Sequence, residues 1–517
     1  MFFGNNEEKK TGTACAPGAK QVNSALGREI TTVENAKQQF YKPSTRRDPR
    51  DHVNKIDGLN YYGHTFADGE DAPMYIPDSE TTHEIYIGST GTGKGVFIGN
   101  RVLEAIQRKL GVIIIDPKQD VFAPQIALEE LTRQGRPEDL QVLNWPSNFP
   151  YSSINKDDTA VEIANKLVDA LNLGETGEPG VDYYSRNSRV LLKKVLNIFF
   201  SGALGFKIEK DLAQIVKHVR HLKEDLEKEE LLNKELSKTR PLPNLVLKYE
   251  KRFFKKERVE AIYWDSTTVE TLDALSKSLA EITEAGNISN LYSIDGALYE
   301  SKVLYVKCDM LDIASLKLVK ALITDAIQRS RRKRASTVII ADEISFYANK
   351  TLSGALATVR SMGLKFLLAL QDLAQMEPGI REAILSNCNV KLFYKISDKE
   401  TFDYVERVGG QEAVTKYRTG EGGYAITQDV EPLLNATKIR ALPRAGVGIL
   451  IAEYLNTPKI IQTSFVATER QFDWLVHEDS EYYAMLENGV EFEDEEEESF
   501  EISKVEETEE NGEEEDF

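Results

Sequence analysis

Apolar residues follow different periods along the chain, and the changes of period divide the sequence into parts. From about residue 71 to 155, short apolar runs alternate with helical patterns, as a parallel sheet with crossover helices requires. From about 156 to 296 the pattern is helical throughout, and the alternation then resumes to about 470. We therefore predict an α/β fold with a parallel central sheet and an all-helical insertion.

Spacing of three and four residues marks the first helix of that insertion. Its apolar positions are Val161, Ile163, Ala164, Leu167, Val168 and Leu171. Residues 190–199 repeat the same spacing, and 223–238 form a highly charged helical pattern. The insertion is thus predicted to contain several helices and no strand.

The two ends of the chain lack these patterns. Residues 1–70 are polar, and we predict an irregular arm with one short helix near Val33 to Tyr41. From Glu478 to Phe517 the chain has 20 acidic residues and one basic residue, which accounts for nearly all of the net charge of −20. Blocks of like charge with few apolar residues cannot bury enough surface to offset chain entropy. We therefore predict a disordered acidic tail over 477–517.

Length and composition indicate a soluble globular protein of two or three domains. The chain has 517 residues, of which 41% are hydrophobic. No apolar run approaches the roughly 18 to 20 residues that span a bilayer, and residues 1–10 lack the apolar core of a secretory signal. The three cysteines, Cys15, Cys308 and Cys388, are too scattered for a disulfide framework or a zinc site. We expect a cytoplasmic protein.

A glycine-rich segment between a predicted strand and a predicted helix has the composition of a phosphate-binding loop. Its residues are Gly88, Ser89, Thr90, Gly91, Thr92, Gly93, Lys94 and Gly95. Glycines let backbone N–H groups turn toward a phosphate, Lys94 adds a cation, and the following helix start adds its dipole. The usual loop has Ser or Thr after the lysine as a Mg²⁺ ligand, and here that position is Gly95. A strand-to-helix turn without a ligand is the alternative.

A second buried strand ends in two acids about 250 residues later. The run 337–341 leads into Asp342, predicted to reach the metal, and Glu343, predicted to act on the attacking water. The next apolar strand ends in Gln371, whose amide is predicted to orient that water. Arg360, on the helical stretch between these strands, is predicted to reach the nucleotide of a neighbouring subunit as an arginine finger. Alternatively, Asp342 caps the next segment, and Gln371 and Arg360 are solvated surface residues.

These segments, in this order, resemble the coupling ATPases of type IV secretion and conjugation, the TraD/TraG type. The resemblance covers roughly residues 70 to 460, and a glycine after the loop lysine is common in that family. It is carried by the following segments: 88–95, Ile113-Ile114-Ile115-Asp116-Pro117-Lys118, Asp342-Glu343, Gly363 to Gln371, Asn387-Cys388-Asn389, Lys391-Leu392-Phe393-Tyr394 and Ile439-Arg440-Ala441-Leu442-Pro443. Most members begin with transmembrane helices, and no such segment is found in this sequence.

The resemblance implies a RecA-like P-loop NTPase that binds ATP and Mg²⁺ and forms a ring, usually a hexamer. It implies a motor that moves DNA at the cytoplasmic mouth of a secretion channel. We expect this DNA to be single-stranded and bound without sequence preference. The family also implies an all-helical domain inserted in the nucleotide domain. The predicted division is an arm at 1–70, the nucleotide domain at 71–155 and 297–476, the inserted domain at 156–296, and the tail at 477–517.

Partners follow from the same resemblance and from charge. Some coupling proteins have an acidic tail that a relaxosome accessory protein recognises, and Phe517 adds an apolar anchor to such a tail. A solubilising appendage is the alternative role of the tail. Two basic clusters, 329–334 and 251–258, are candidates for contacts with nucleic acid, or else for a helix end and a core helix. Another ring motor, for segregation, packaging or protein secretion, and a non-catalytic recruitment platform are the alternative functions.

Overall fold

The computed structural model describes residues 22–23, 28–29, 47–67, 70–118, 122–145, 151–174, 179–200, 208–236, 266–284, 293–420, 423–443 and 445–468. Within these ranges, no helix is both long enough and apolar enough to cross a membrane.

The strands of the described residues are numbered in chain order. They are β1 (Val22–Asn23), β2 (Arg28–Glu29), β3 (Leu59–Ala67), β4 (Glu70–Pro77), β5 (Glu84–Ile87), β6 (Gly111–Asp116), β7 (Leu140–Asn144), β8 (Val303–Lys307), β9 (Thr337–Ala341), β10 (Leu364–Leu370), β11 (Val390–Phe393), β12 (Gln411–Gly420), β13 (Gly423–Pro432), β14 (Val447–Ala452) and β15 (Lys459–Gln462).

The α-helices are numbered in the same way. They are α1 (Lys94–Gln107), α2 (Phe122–Arg133), α3 (Ala160–Ala170), α4 (Pro179–Phe200), α5 (Leu212–Leu236), α6 (Ser266–Glu284), α7 (Asp295–Tyr299), α8 (Ile313–Arg332), α9 (Lys350–Val359), α10 (Pro378–Asn387), α11 (Lys399–Val408) and α12 (Ala436–Arg440). Short 3-10 turns lie at Pro49–Asp51, Asp78–Glu80, Pro137–Asp139, Ile344–Phe346, Arg360–Met362 and Leu373–Gln375.

Eleven of the described strands form one mixed sheet in the order β4-β3-β15-β14-β11-β5-β10-β9-β6-β8-β7. The seven strands from β11 to β7 are parallel to their neighbours, whereas β14, β15, β3 and β4 extend the sheet in antiparallel pairing. Every residue of β5, β6 and β9 is buried, as expected where both faces of a parallel sheet are covered. Their carboxyl ends therefore meet at one edge of the sheet.

The helices α3 to α6 lie between β7 and β8 in the chain, where the helical insertion is predicted. A capping box starts α3, since Thr159 and Glu162 each accept a hydrogen bond from the other's backbone N–H. Ile163, Ala164 and Leu167 are buried in the same apolar core as the sheet, while Val161 is exposed. The division into a separate inserted domain stays a prediction.

The prediction of an irregular arm up to residue 70 is wrong for residues 59–67, because they form strand β3 of the central sheet. Thr65 of β3 pairs with Ile461 of β15, and Tyr61 and Tyr62 are buried. The run contains Asn60, Gly63 and His64 among its apolar residues, so its sequence lacks a clear strand alternation. The helix predicted near Val33 to Tyr41 and the acidic tail lie outside the described residues.

Candidate nucleotide site

The glycine-rich loop connects β5 to α1, in the strand-to-helix position that the sequence predicts. Gly93 has φ of 116°, and a Cβ on it would lie 3.0 Å from the backbone nitrogen of Gly446. A larger residue is therefore disfavoured at this position both by conformation and by space. The loop is held in place because Ser89 N–H donates to Lys395 O at 3.0 Å and Gly446 N–H donates to Thr92 O at 2.9 Å.

Lys94 is the first residue of α1, and its side chain is buried. Its ammonium donates to the backbone oxygen of Gly88, at the start of the same loop. Burial and, to a lesser degree, the neighbouring cation of Lys118 lower the pKa of Lys94 to about 8, while Glu343 and Asp342 act in the opposite direction. An anion in the loop would stabilise the charged form of this lysine.

Strand register brings the other predicted groups to the same edge. Leu370 pairs with Ile87, so Gln371 lies beside Gly88 at the start of the loop. Ala341 pairs with Ile115, so Asp342 lies beside Asp116. Each of four neighbouring parallel strands is thus followed by the glycine-rich loop or ends at a polar side chain, and these groups share one edge of the sheet. The four strands are β5, β10, β9 and β6.

Asp342 and Glu343 differ in exposure. Asp342 lines the cavity beside the loop, and its side chain is 17% exposed, whereas that of Glu343 is 1% exposed. Burial raises the pKa of Asp342, Lys118 opposes that rise, and Glu343 adds to it. Glu343 has φ of 44°, a left-handed backbone conformation that is uncommon for residues with a side chain and that often occurs at functional sites.

Gln371 contacts Glu343, since its Nε2 donates to Glu343 Oε1 at 3.2 Å. Arg360 lies elsewhere: it is exposed, and its Nη2 donates to Ser79 O at 2.7 Å. It precedes β10, so the length of that seven-residue strand, about 20 Å, separates it from the loop of its own chain. The roles assigned to both side chains, including that of Arg360 on a neighbouring subunit, stay predictions.

A cavity of about 550 Å³ opens beside the loop, a volume within the range of small-molecule sites. Part of its lining comes from loop residues together with Lys118 and Asp342. The rest comes from Arg47, His64, Phe122, Ala445 and residues from β15 and the segment after it. The rings of Phe122 and Phe465 stack with centroids 6.2 Å apart. The lining thus combines the cations of Lys94, Lys118 and Arg47 with the rings of Phe122 and Phe465, which suits a molecule with a phosphate group and a ring.

Sequence reasoning missed several residues of this site. Lys118 belongs to a segment of the family resemblance, but its role was not predicted from the sequence. A lysine two residues after the acid that ends a buried strand is the signal that could have indicated it. Arg47, His64 and Phe465 come from distant parts of the chain and have no local pattern that marks them.

The first basic cluster, 329–334, is largely engaged within the chain. Arg329 Nη1 is 2.7 Å from Asp295 Oδ1, and Arg332 Nη2 is 3.0 Å from Asp158 Oδ1. Lys333 Nζ lies 4.1 Å from the centre of the Tyr299 ring. These contacts favour a structural role for the three residues over nucleic-acid binding. The second cluster, 251–258, lies outside the described residues.

Comparisons with known proteins agree with the predicted family. Residues 336–444 match the family described as the TraM recognition site of TraD and TraG. This range contains Asp342, Glu343, Arg360 and Gln371. The predicted resemblance to TraD/TraG-type coupling proteins is thereby confirmed. A search of curated proteins found no match.

Solved structures with the same fold include three of the coupling protein TrwB. The unbound monoclinic form of the bacterial conjugative coupling protein TrwBdeltaN70 has 14% identity and a TM-score of 0.56, over 86% of this chain and 94% of that one. The complex of TrwB with ADP and Mg²⁺ has 13% identity and a TM-score of 0.55, over 85% and 95%. The complex with the ATP analogue ADPNP has 14% identity and a TM-score of 0.55, over 86% and 95%. The predicted RecA-like α/β fold is confirmed.

Proposed function

We propose that this protein is a coupling ATPase, which hydrolyses ATP to move DNA and links a relaxosome-like complex to a type IV secretion channel during conjugative transfer. The observation that carries the proposal is the convergence of Lys94, Asp342, Glu343 and Gln371 at one edge of the sheet, beside a cavity of nucleotide size. The matches to TraD/TraG proteins and to TrwB support the assignment of these residues to nucleotide hydrolysis.

The residues of the site have different roles in phosphoryl transfer. Loop N–H groups and the Lys94 ammonium bind the phosphates of ATP, and Gln371 orients the water that attacks the terminal phosphate. Glu343 accepts a proton from that water as the new bond to phosphorus forms and the bond to ADP breaks. Burial of Glu343 keeps bulk water away from this carboxylate.

The donor groups present fit a magnesium ion that is held jointly with the nucleotide. Mg²⁺ in nucleotide sites takes one or two carboxylates together with phosphate oxygens and water. Asp342 supplies a carboxylate at the cavity wall, and Gly95 has no hydroxyl to add. When bound, the ion would neutralise charge on the phosphates. TrwB in complex with ADP and Mg²⁺ supports this choice of metal.

The remaining parts of the proposal rest on the family. We propose a hexameric ring at the cytoplasmic face of the membrane, in which Arg360 of one subunit reaches the nucleotide of the next. We further propose that single-stranded DNA is the cargo, bound without sequence preference. The acidic tail 477–517 would bind a relaxosome accessory protein or relaxase, and the ring would contact components of the secretion channel.

The decisive experiment measures ATP hydrolysis by the purified full chain with single-stranded DNA, with double-stranded DNA and without DNA. We expect Mg²⁺-dependent hydrolysis that single-stranded DNA stimulates. The variant Lys94→Ala should lose at least about 100-fold of this activity, because the loop lysine acts on the phosphates. Lys302→Ala, which removes a partly exposed lysine outside the site, is the matched control and should keep it.

Different outcomes would point to different functions. Hydrolysis that double-stranded DNA stimulates, or that no DNA stimulates, would favour another kind of ring motor. Nucleotide binding without hydrolysis would favour a recruitment platform. Wild-type turnover by Lys94→Ala would contradict the nucleotide-motor assignment altogether.

A further inference from the structure

Lys118 lies between the two acids that follow β9. Its ammonium forms an ion pair with Glu343 Oε1 and lies 3.7 Å from Asp342 Oδ2. The side chain also lines the cavity beside the phosphate-binding loop, and it is 24% exposed. A single cation thus links the end of β6 to both acids at the end of β9.

The backbone around Lys118 is held by the strands that precede it. Asp116 ends β6, and its Oδ1 accepts the backbone N–H of Lys118 at 3.0 Å, which closes a side-chain turn across Pro117. The other oxygen of Asp116 accepts the hydroxyl of Tyr305, on the neighbouring strand β8, at 3.0 Å. The backbone of Lys118 is therefore held in a fixed position at the edge of the sheet.

The two oxygens of Glu343 have different surroundings. Oε1 accepts hydrogen bonds from both Lys118 Nζ and Gln371 Nε2. Oε2 is buried and has no hydrogen-bond partner among the described residues. An unpaired buried carboxylate oxygen is costly, and such groups are retained where they perform chemistry. The arrangement holds the carboxylate at Oε1 and leaves Oε2 without a partner among the described residues.

We propose that Lys118 is a positioning residue for ATP hydrolysis, which together with Gln371 holds Glu343 by Oε1 so that Oε2 can accept the proton of the attacking water. The inference rests on the proposed function and adds a residue to its machinery. Two donors on Oε1 restrict rotation of the carboxylate, and a fixed base lowers the barrier for proton transfer. Lys118 acts through Glu343, whereas Lys94 acts on the phosphates.

The test compares Lys118→Met and Lys118→Arg with wild-type protein, using single-turnover hydrolysis of ATP and binding of a fluorescent ATP analogue in the presence of Mg²⁺. We expect Lys118→Met to lower the hydrolysis rate about 10- to 100-fold, with a dissociation constant within about threefold of wild type. Lys118→Arg keeps a cation and should recover a large part of the rate.

Lys438→Met is the matched control. Lys438 is likewise paired with a glutamate, at 2.9 Å from Glu412 Oε1, and it lies outside the cavity lining. Its removal should cost similar stability and leave hydrolysis per folded molecule unchanged. A loss of hydrolysis in Lys438→Met equal to that in Lys118→Met would reduce the role of Lys118 to general stability and overturn the proposal.

A double-mutant cycle provides a second readout that does not depend on the size of the single effect. In the Glu343→Gln background, Lys118→Met should change the residual rate by less than about twofold, because the group that Lys118 positions is already removed. If the rate in the double variant falls by the product of the two single effects, Lys118 and Glu343 act independently. That result would contradict the proposal.

Three further outcomes separate this inference from the proposed function. If Lys118→Met weakens ATP binding as strongly as it lowers the rate, Lys118 is a phosphate-binding cation and the positioning role is wrong. If wild-type protein hydrolyses ATP and Lys118→Met hydrolyses it equally well, only this inference fails. If wild-type protein does not hydrolyse ATP under any condition, the proposed function itself fails.

Discussion

The central strands β5, β10 and β9 have buried acidic groups at both of their ends, and the two ends differ in how completely these groups are paired. At the amino end, Glu84 is fully buried; its Oε1 lies 2.9 Å from Arg101 Nη2 and 3.0 Å from Lys365 Nζ, and its Oε2 accepts the hydroxyl of Tyr86. At the carboxyl end, Glu343 is almost as buried, yet its Oε2 has no partner among the described residues. Both glutamates contact a lysine.

The electrostatics of the two ends differ in the same sense. Burial alone would raise the pKa of Glu84, but Arg101 and Lys365, with the Tyr86 hydroxyl, bring it down to about 2. At the other end, burial raises the pKa of Asp342, and Lys118 offsets only part of that rise. The carboxylate of Glu84 is therefore satisfied by the fold itself. The carboxyl-end cluster is incomplete, as expected where a ligand supplies the missing charge.

The largest expected effect tests the incomplete end. Glu343→Gln keeps the size of the side chain and removes the proton acceptor, so hydrolysis should fall about 100- to 10,000-fold while ATP still binds. The free energy of unfolding should change by less than about 1 kcal/mol, because the lost carboxylate is only half paired. Single-turnover hydrolysis and urea unfolding of the same preparation measure the two quantities. A large loss of stability with hydrolysis intact would place Glu343 among the structural residues.

The same substitution at the satisfied end should have the opposite result. Glu84→Gln leaves the buried cations Arg101 and Lys365 without their carboxylate, so we expect a loss of about 3 to 5 kcal/mol in the free energy of unfolding. Hydrolysis per folded molecule should stay within about threefold of wild type. Urea unfolding at pH 7.5, followed by circular dichroism, measures the loss. An unchanged stability would remove the distinction between the two ends.

The smallest expected effect is the loss of folding stability at acidic pH. The pKa of Glu84 is about 2 in the folded protein against an ordinary value of 4.5, so its contribution is complete above about pH 4.5 and is lost as the pH falls toward 2. The difference corresponds to about 3 kcal/mol at most. Wild-type protein should lose more stability than Glu84→Gln between pH 5 and pH 3. If the urea midpoints of wild-type protein and Glu84→Gln fall equally between pH 5 and pH 3, this prediction is wrong.

Much of the site could be predicted from local sequence. The loop 88–95, the acids Asp342 and Glu343, and the amide Gln371 each follow an apolar run, and the ends of parallel strands meet at one edge. The pairing of Gln371 with Glu343 at 3.2 Å follows from that arrangement. The strand β3 could not be predicted in the same way, because polar residues interrupt its pattern and its partner β15 lies almost 400 residues later.

Local sequence was enough to predict the class of fold, the position of the glycine-rich loop and the family that the chain resembles. These features depend on short-range patterns, since apolar period sets the element and glycine allows the turn. The tertiary structure was needed to show which oxygen of Glu343 is paired and that Lys118 pairs with it. It also decided that Glu84 is satisfied while Glu343 is not. Hydrogen bonds between distant segments depend on strand order and register, and these result from the packing of the whole sheet.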